Sequence, residues 1–213
     1  MGVPTVSIRA PEAYDLAISH LQAGHLIVLP TDTIYGIAAQ SDQDGIIARL
    51  YAVRQRPPEP ALPFLISQAS IMTQLTRTNV PALRLAQRFW PGPLSLILPP
   101  AANLPPAFRA YPIAVRVPNF APLLGLLDRA GGYLLTTGAI RPGHPPAISA
   151  EEVATIFGDA VSLILDGGPA PYGVPSTIVD CVPDPPVIVR RGVISEERIW
   201  ETLGNGTNGV ENA

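Results

Sequence analysis

The order of apolar and polar positions divides the chain into segments with helical and with extended periodicity. The first helical segment begins near Pro11, and Gly24 marks its end. Apolar residues recur at every third or fourth position in the further segments 44–53, 71–77, 81–90, 121–130 and 149–157. Ser149 and Glu152 have the spacing of a capping box, and the two glutamates after Ser195 predict the start of a last helix.

Short apolar runs between these segments predict β-strands. They cover residues 25–29, 62–67, 94–98, 113–117, 133–137, 161–165, 177–182 and 187–190. Strands and helices are interspersed, with neither an internal repeat nor a break in composition, so we expect a mixed α/β sheet within one domain over residues 8–200. The Gly- and Asn-rich end, residues 204–213, is expected to be a disordered tail.

Composition narrows the classes of protein. Hydrophobic residues make up 47% of the 213 positions, which is ample for a core, but no apolar run approaches the ~20 residues that span a bilayer. The first ten residues lack the pattern of a signal peptide, so we expect a cytoplasmic protein with no membrane partner. A single cysteine and three scattered histidines predict no internal disulfide, no metal site and no tightly bound cofactor.

Charge argues against a protein that coats nucleic acid through bulk electrostatics, because the net charge is −3. A local basic cleft remains compatible with that value. All 14 positive charges are arginines, since the sequence contains no lysine. A GC-rich coding bias explains this better than a selected role for arginine, and it also fits the 26 prolines.

Four segments are too polar or too rigid for their apolar surroundings, namely residues 29–36, 54–58, 89–94 and 167–177. The first segment follows a predicted strand and places two hydroxyls and a carboxylate in a tight turn. The second segment places Arg54 and Arg56 at the end of a predicted helix, where their guanidinium groups could bind a phosphate or a carboxylate. Each segment alone is more typical of a turn, a solvated helix end or a scaffold. Arg116 and Arg190 lie inside apolar strands, where an unpaired charge is costly and an anionic partner is needed.

These segments belong to an ordered series of motifs: Pro-Thr-Asp-Thr-Ile-Tyr-Gly, Arg-x-Arg-Pro, Phe-Trp-Pro-Gly-Pro-Leu, Ala-Val-Arg-Val-Pro, Pro-Ser-Thr-Ile-Val-Asp and Val-Arg-Arg-Gly. The series resembles the YrdC-like threonylcarbamoyl-AMP synthase family in its short, single-domain form, and it runs from about Glu12 to Ile194. The resemblance implies an α/β fold in which a twisted mixed sheet and its surrounding helices form a concave basic cleft.

The resemblance also implies an activity. Members of the family are nucleotidyltransferases that condense L-threonine, bicarbonate and ATP, the last with Mg²⁺, into threonylcarbamoyl-AMP and pyrophosphate. Downstream machinery transfers the threonylcarbamoyl group to tRNA, so tRNA or double-stranded RNA in the cleft is a further expected partner. Carried over by motif, the threonine-binding residues are Thr33, Arg116 and Ser176, and the ATP-binding residues are Arg54, Arg56 and Arg190. No catalytic residue is expected beyond these binding groups.

The chain departs from the family pattern at the nucleotide site. The family's Lys-x-Arg reads Arg54 and Arg56, its Ser-x-Asn reads Gly138 and Ile140, and Pro60 replaces a usually polar residue. These positions leave two hypotheses, namely an active synthase with a variant ATP site, or a divergent paralogue that binds nucleotide or RNA with lost or altered catalysis. A purely structural domain would give no reason to bury arginines in strands.

Overall fold

The computed structural model describes residues 2–40, 45–55 and 61–204, and ten strands in this part of the chain form one mixed sheet. The strands are β1 (Thr5–Ser7), β2 (Ile27–Leu29), β3 (Gly36–Ala39), β4 (Leu62–Ile66), β5 (Leu94–Leu98), β6 (Ile113–Arg116), β7 (Tyr133–Gly138), β8 (Leu163–Asp166), β9 (Thr177–Asp180) and β10 (Val187–Arg190). Their order across the sheet is β1-β8-β2-β3-β7-β4-β6-β5-β9-β10.

Helices flank this sheet on both faces. They are α1 (Ala13–Gln22), α2 (Ile46–Arg54), α3 (Met72–Leu75), α4 (Val80–Phe89), α5 (Pro106–Arg109), α6 (Ala121–Arg129), α7 (Ala150–Phe157) and α8 (Glu196–Leu203), with a 3₁₀ turn at Ala69–Ile71. The twisted sheet is mixed because β1, β8 and β2 run parallel to one another, as do the pairs β4–β6 and β5–β9, whereas the remaining neighbours are antiparallel.

Strand alternation divides the core between the two faces. In β2, Val28 packs into the larger cluster, which includes buried residues of α2, α4, α7 and α8. Its neighbours Ile27 and Leu29 point into a second cluster, which is formed with α1 and α6. Because β2 is buried on both faces, its sequence is a continuous apolar run rather than an alternating one.

Helices α1 and α6 cover only part of their face of the sheet. Farther along the same face, a small third cluster forms around Ala114, which pairs with Pro63 of β4 and Ile97 of β5. No residue of a described helix belongs to this third cluster, which lies on strands β6, β5 and β9 and just before β4. The cleft described below opens at this cluster.

Most predicted elements are confirmed with shifts of a few residues at their ends. The helix expected over residues 71–77 is shorter, because it consists of the 3₁₀ turn and the single turn of α3. Three elements were missed: β1, β3 and α5. They contain only three or four residues each, too few to show a period.

The predicted caps are present. Ser149 Oγ accepts from Glu152 N at 3.2 Å, and Glu152 Oε2 accepts from the backbone N of Ile148 at 2.7 Å, one residue before the cap. Gly24 follows α1 with a φ of 78°, as a residue that ends a helix in the left-handed region. The predicted tail lies outside the described residues except for Gly204.

A close backbone approach fixes the loop before β9. A Cβ placed on Gly192 would lie 2.4 Å from both Ser176 C and Thr177 N. The Thr177 hydroxyl donates to Ile194 O at 2.8 Å and accepts from Ile194 N at 2.9 Å. The segment after β10 is thereby held against the backbone of Ser176.

Gly192→Ala should therefore lower the free energy of unfolding by about 1–3 kcal/mol, because backbone atoms rather than a flexible side chain must move. Urea unfolding measures this difference against wild type. Gly2→Ala is the matched control, since a Cβ on Gly2 meets nothing within 4 Å. Equal unfolding midpoints for Gly192→Ala and wild type would contradict the close approach.

Candidate active site

The segment between β2 and β3 is a buried turn held by a threonine hydroxyl. Thr31 Oγ donates to Ile34 O at 2.7 Å and accepts from Thr33 N at 3.0 Å. The Oγ atoms of Thr31 and Thr33 are 3.0 Å apart. All of these groups are nearly inaccessible to water, so the turn is a rigid part of the interior.

Arg116, at the end of β6, has a hydrogen-bond partner at each of its three nitrogens, and two of these partners belong to this turn. Its Nη2 is bonded to Asp32 Oδ1, its Nη1 donates to Thr33 Oγ at 2.7 Å, and its Nε donates to Gly92 O at 2.9 Å. Asp32 is the anionic partner that the strand position of Arg116 requires. The Trp-Pro-Gly-Pro segment, interpreted above as scaffold, takes part through the Gly92 carbonyl.

Burial lowers the pKa of Arg116 from its usual value; the charge of Asp32 opposes this shift, and the charge of Arg190 adds to it. Arg116 and Arg190 line the same cleft, and one carboxylate, that of Asp32, is bonded to Arg116. Positive potential therefore accumulates beside the turn, as a site for an anion requires.

Ser176 connects the glycine-rich loop to Arg190. Arg190 donates from Nη2 to Ser176 Oγ and from Nε to Ser176 O, both at 3.0 Å. The Oγ atoms of Ser95 and Ser176 are 2.9 Å apart. The hydroxyls of β5 and the loop before β9 thus share one network with an arginine of β10.

Arg54 is the last residue of α2 and is only 3% exposed. Its Nη1 donates to the hydroxyl of Thr137 in β7. Thr137 lies on the opposite side of the strand from Gly138, as alternation predicts, and there it contacts the arginine that stands in place of lysine. The predicted positions Arg56 and Pro60 lie outside the described residues.

The Gly138 position is enclosed by apolar groups. A Cβ placed on Gly138 would lie 2.9 Å from Ile34 Cδ1 and 3.6 Å from Ile140 Cδ1. Ile34, Gly138 and Ile140 therefore form an apolar wall of the cleft, in the place where the family pattern has a hydroxyl and an amide.

Tyr35 ties the turn to the glycine-rich loop. Its hydroxyl donates to Gly168 O at 2.8 Å and accepts from Gly167 N at 3.2 Å, and it lies 3.2 Å from Asp166 Oδ1. Burial raises the pKa of Tyr35 to about 12, so the phenol stays protonated as a donor at neutral pH. Its role is to hold the two segments in register rather than to transfer protons.

One open cleft brings together the predicted residues that the structure describes. It is lined by Thr33, Arg54, Arg116, Gly138, Ile140, Ser176 and Arg190. Within the described segments, no aspartate, glutamate or histidine lines this cleft. The arrangement suits a ligand with at least one anionic group, held by guanidinium and hydroxyl groups, and the substrate that each residue binds stays a prediction.

Some residues of the site were missed by sequence reasoning. Asp32 was noted only as a carboxylate in a turn, and Ser95 was not singled out although it is a hydroxyl in an apolar strand. Thr137 was not singled out either, although it directly precedes the variant position Gly138. Their partners lie 81 to 84 residues away in sequence, so a motif cannot show these contacts.

Metal ligands and membrane-spanning helices can be assessed over residues 2–40, 45–55 and 61–204, which the structure describes. No cluster of three or more metal-ligating side chains occurs in these ranges. None of their helices is both long and apolar enough to cross a membrane.

The comparisons with known proteins all point to the same family. The model of the Sua5/YciO/YrdC domain, described as "Telomere recombination", matches residues 19–192. Threonylcarbamoyl-AMP synthase of Pyrococcus abyssi is 32% identical over 194 residues, which cover 89% of this chain and 56% of that protein. A putative threonylcarbamoyl-AMP synthase of Mycobacterium tuberculosis is 34% identical, with 88% of both chains covered.

Solved structures agree with this relationship. P. abyssi Sua5 complexed with L-threonine superimposes with a TM-score of 0.86 at 29% identity, covering 99% of this chain and 65% of that one. The chain spans about half the length of the P. abyssi and Bacillus subtilis relatives it matches. The match over residues 19–192, the level of identity and the shared fold together show that the chain belongs to the Sua5/YciO/YrdC family.

Proposed function

We propose that this protein is a threonylcarbamoyl-AMP synthase. In this reaction the amine of L-threonine attacks the carbon of bicarbonate, and water leaves as the N–C bond forms. A carbamate oxygen then attacks the α-phosphorus of ATP, and the bond to pyrophosphate breaks. The products are threonylcarbamoyl-AMP, pyrophosphate and water.

The observation that carries this proposal is the meeting of three predicted arginines and two predicted hydroxyls in one cleft. Arg116 Nη1 donates to Thr33 Oγ at 2.7 Å, and Arg190 Nη2 donates to Ser176 Oγ at 3.0 Å. This grouping supports a site for an amino acid beside a site for a polyphosphate. The names of the relatives, and the threonine bound to P. abyssi Sua5, support the same reaction.

We assign the threonine end of the cleft to Thr33, Arg116 and Ser176. After its three contacts, Arg116 keeps one further N–H on each terminal nitrogen for a carboxylate. Ser176, in the loop that leads into β9, and Ser95, on the neighbouring strand β5, both offer hydroxyls. An amino acid in this place would be clamped at its carboxylate, with its amine free to react.

We assign the phosphate end to Arg54 and Arg190. Guanidinium groups suit phosphate oxygens because they are planar and remain charged. Arg56 belongs to the same assignment by motif, and Mg²⁺ would arrive with ATP as part of the substrate. Transfer of the product to tRNA, by separate machinery, belongs to the proposed role as well.

No side chain is needed to exchange protons with the reacting atoms. Among the described residues that line the cleft, the charged ones are all arginines. The protein would then act by alignment of reactants and by stabilisation of charge on the phosphates and on departing pyrophosphate.

Arg190→Ala should weaken the binding of Mg-ATP by at least about tenfold, because one charge-assisted contact to a phosphate is lost. Isothermal calorimetry measures this change. Arg191→Ala is a matched control, since Arg191 follows directly in sequence but is an exposed residue paired with Glu196. Equal ATP affinity in Arg190→Ala and wild type would remove Arg190 from the ATP site.

Removal of Arg116 should abolish threonine binding, but Arg116→Ala alone also leaves the Asp32 carboxylate buried without its cation. Breaking a buried pair in this way costs about 3–5 kcal/mol. The clean test is the double variant Asp32→Asn, Arg116→Gln, because both side chains are then uncharged and no ion is left buried without its partner. We expect calorimetry to show loss of threonine binding with the fold retained in circular dichroism.

Asp32→Asn alone is the control for that variant, because an amide oxygen can still accept from Arg116. It should keep threonine binding. If the double variant binds threonine as wild type does, Arg116 is not the carboxylate site. If serine and glycine bind wild type as tightly as threonine, the pocket is not selective for threonine.

The variant pair Gly138 and Ile140 can be tested by restoring the family residues. We expect wild type to release pyrophosphate in a reaction that requires ATP, bicarbonate and threonine. We expect Gly138→Ser, Ile140→Asn to leave that rate unchanged or lower it, because a side chain at 138 meets Ile34 Cδ1 at 2.9 Å. Adding Ile34→Val removes that methyl group and isolates the steric effect.

An inactive wild type that gains activity on restoration would instead identify a paralogue with altered chemistry. Inactivity of wild type and of both restored variants would contradict the proposed reaction, provided that each protein is folded by circular dichroism.

A further inference from the structure

The direction of the hydrogen bonds in the Thr31–Thr33 turn follows from a count of hydrogens. The Ile34 carbonyl can only accept, so the single hydroxyl hydrogen of Thr31 is committed to it at 2.7 Å. In the 3.0 Å contact between the two hydroxyls, Thr33 must then be the donor. Thr31 Oγ accepts twice, from the backbone N and from the hydroxyl of Thr33.

The hydrogen-bonding capacity that the Thr33 hydroxyl keeps for a ligand can be counted in the same way. Its hydroxyl hydrogen points to Thr31, and one of its lone pairs accepts from Arg116 Nη1 at 2.7 Å. One lone pair is left, and Thr33 lines the cleft. Towards a ligand, therefore, Thr33 has an acceptor and no hydrogen to donate.

Ser176 lacks this restriction. Its hydroxyl accepts from Arg190 at 3.0 Å and faces Ser95, whose own hydroxyl can either donate or accept. Either direction satisfies that pair, so Ser176 can present a donor or an acceptor to a ligand. The polarity of the cleft is thus fixed at Thr33 and adjustable at Ser176.

We propose that Thr31 is a specificity-determining positioning residue, which makes Thr33 an obligate acceptor that selects an N–H or O–H group adjacent to the carboxylate held by Arg116. This inference rests on the proposed function, in which the ligand is L-threonine. The selected donor is the ammonium or the hydroxyl of threonine. Thr31 itself acts through Thr33 and need not touch the ligand.

A neutron structure of the perdeuterated, ligand-free protein tests the hydrogen-bond direction independently of any substrate. We expect the deuterium of Thr31 to point to Ile34 O and that of Thr33 to point to Thr31 Oγ. A Thr33 deuterium directed into the cleft would overturn the proposal.

Calorimetry with L-threonine, O-methyl-L-threonine and 3-hydroxybutyrate tests the selection. The first analogue lacks the hydroxyl hydrogen and the second lacks the ammonium. We expect the analogue without the selected donor to bind wild type at least about tenfold more weakly, because a buried acceptor is left unpaired. If both analogues bind as threonine does, Thr33 does not select a donor and the proposal is wrong.

Variants at Thr31 separate positioning from packing. Thr31→Val releases the hydroxyl hydrogen of Thr33, so the affinity for threonine should fall about five- to tenfold. If the hydroxyl of threonine is the selected donor, O-methyl-L-threonine should then bind this variant as well as threonine does, because Thr33 can donate to the ether oxygen of the analogue. Thr31→Ser keeps the hydroxyl and should bind threonine within about twofold of wild type. Thr76→Val is the control, because its buried hydroxyl donates to Met72 O outside the cleft.

The outcomes separate this inference from the proposed function. A wild type that does not bind threonine contradicts the function, while the neutron structure still decides the hydrogen-bond direction. A wild type that binds threonine with equal losses in Thr31→Ser and Thr31→Val contradicts the inference alone. If Thr31→Val fails to fold, Thr31→Ser and the two analogues on wild type still decide the selection.

Discussion

The buried ion pair between Asp32 and Arg116 holds the candidate site together. A charge pair in the interior loses hydration, and it persists only where hydrogen bonds satisfy the remaining donors. Here the other nitrogens of Arg116 bond to Thr33 and Gly92, so each nitrogen has a partner. The backbone of Asp32 also accepts from Tyr172 N at 3.1 Å. One pair therefore joins the turn after β2, the end of β6, the turn before β5 and the glycine-rich loop.

The cleft has a different electrostatic character from the chain as a whole. The net charge is −3, yet the charged residues among the described lining of the cleft are arginines. Arg54 and Arg116 are both less than a tenth exposed, so their charges act where water screens them poorly. Local placement, rather than net charge, accounts for a site that suits anions.

The departures from the family pattern lie on one side of this cleft and have a common structural consequence. Ile34, Gly138 and Ile140 form an apolar wall, while Arg54 donates to the neighbouring Thr137 of the same strand, and both of these residues also line the cleft. The wall offers surface contact but no side-chain hydrogen bond. Polar recognition in the described part of the cleft therefore depends on groups outside this wall, which include the arginines and the hydroxyls of Thr33, Ser95 and Ser176.

The sequence by itself determined most of the elements, the family and the three arginines of the cleft, together with Thr33 and Ser176. Long segments such as α1 and α4 show their period directly, whereas β1, β3 and α5 are too short to do so. Motifs identified Thr33, Arg116, Ser176 and Arg190, because each lies within a local pattern of residue types. They also located Gly138 and Ile140 as departures.

Only the tertiary structure decided which groups are partners. The contacts between Arg116 and Asp32, Arg54 and Thr137, and Ser95 and Ser176 join strands and helices far apart in the chain. The hydrogen-bond direction at Thr33 likewise depends on a guanidinium from a distant strand, which takes one of its lone pairs. Periodicity and motifs report local preference, but a hydrogen bond depends on distance and angle between two groups, and these are set when the sheet brings the strands together.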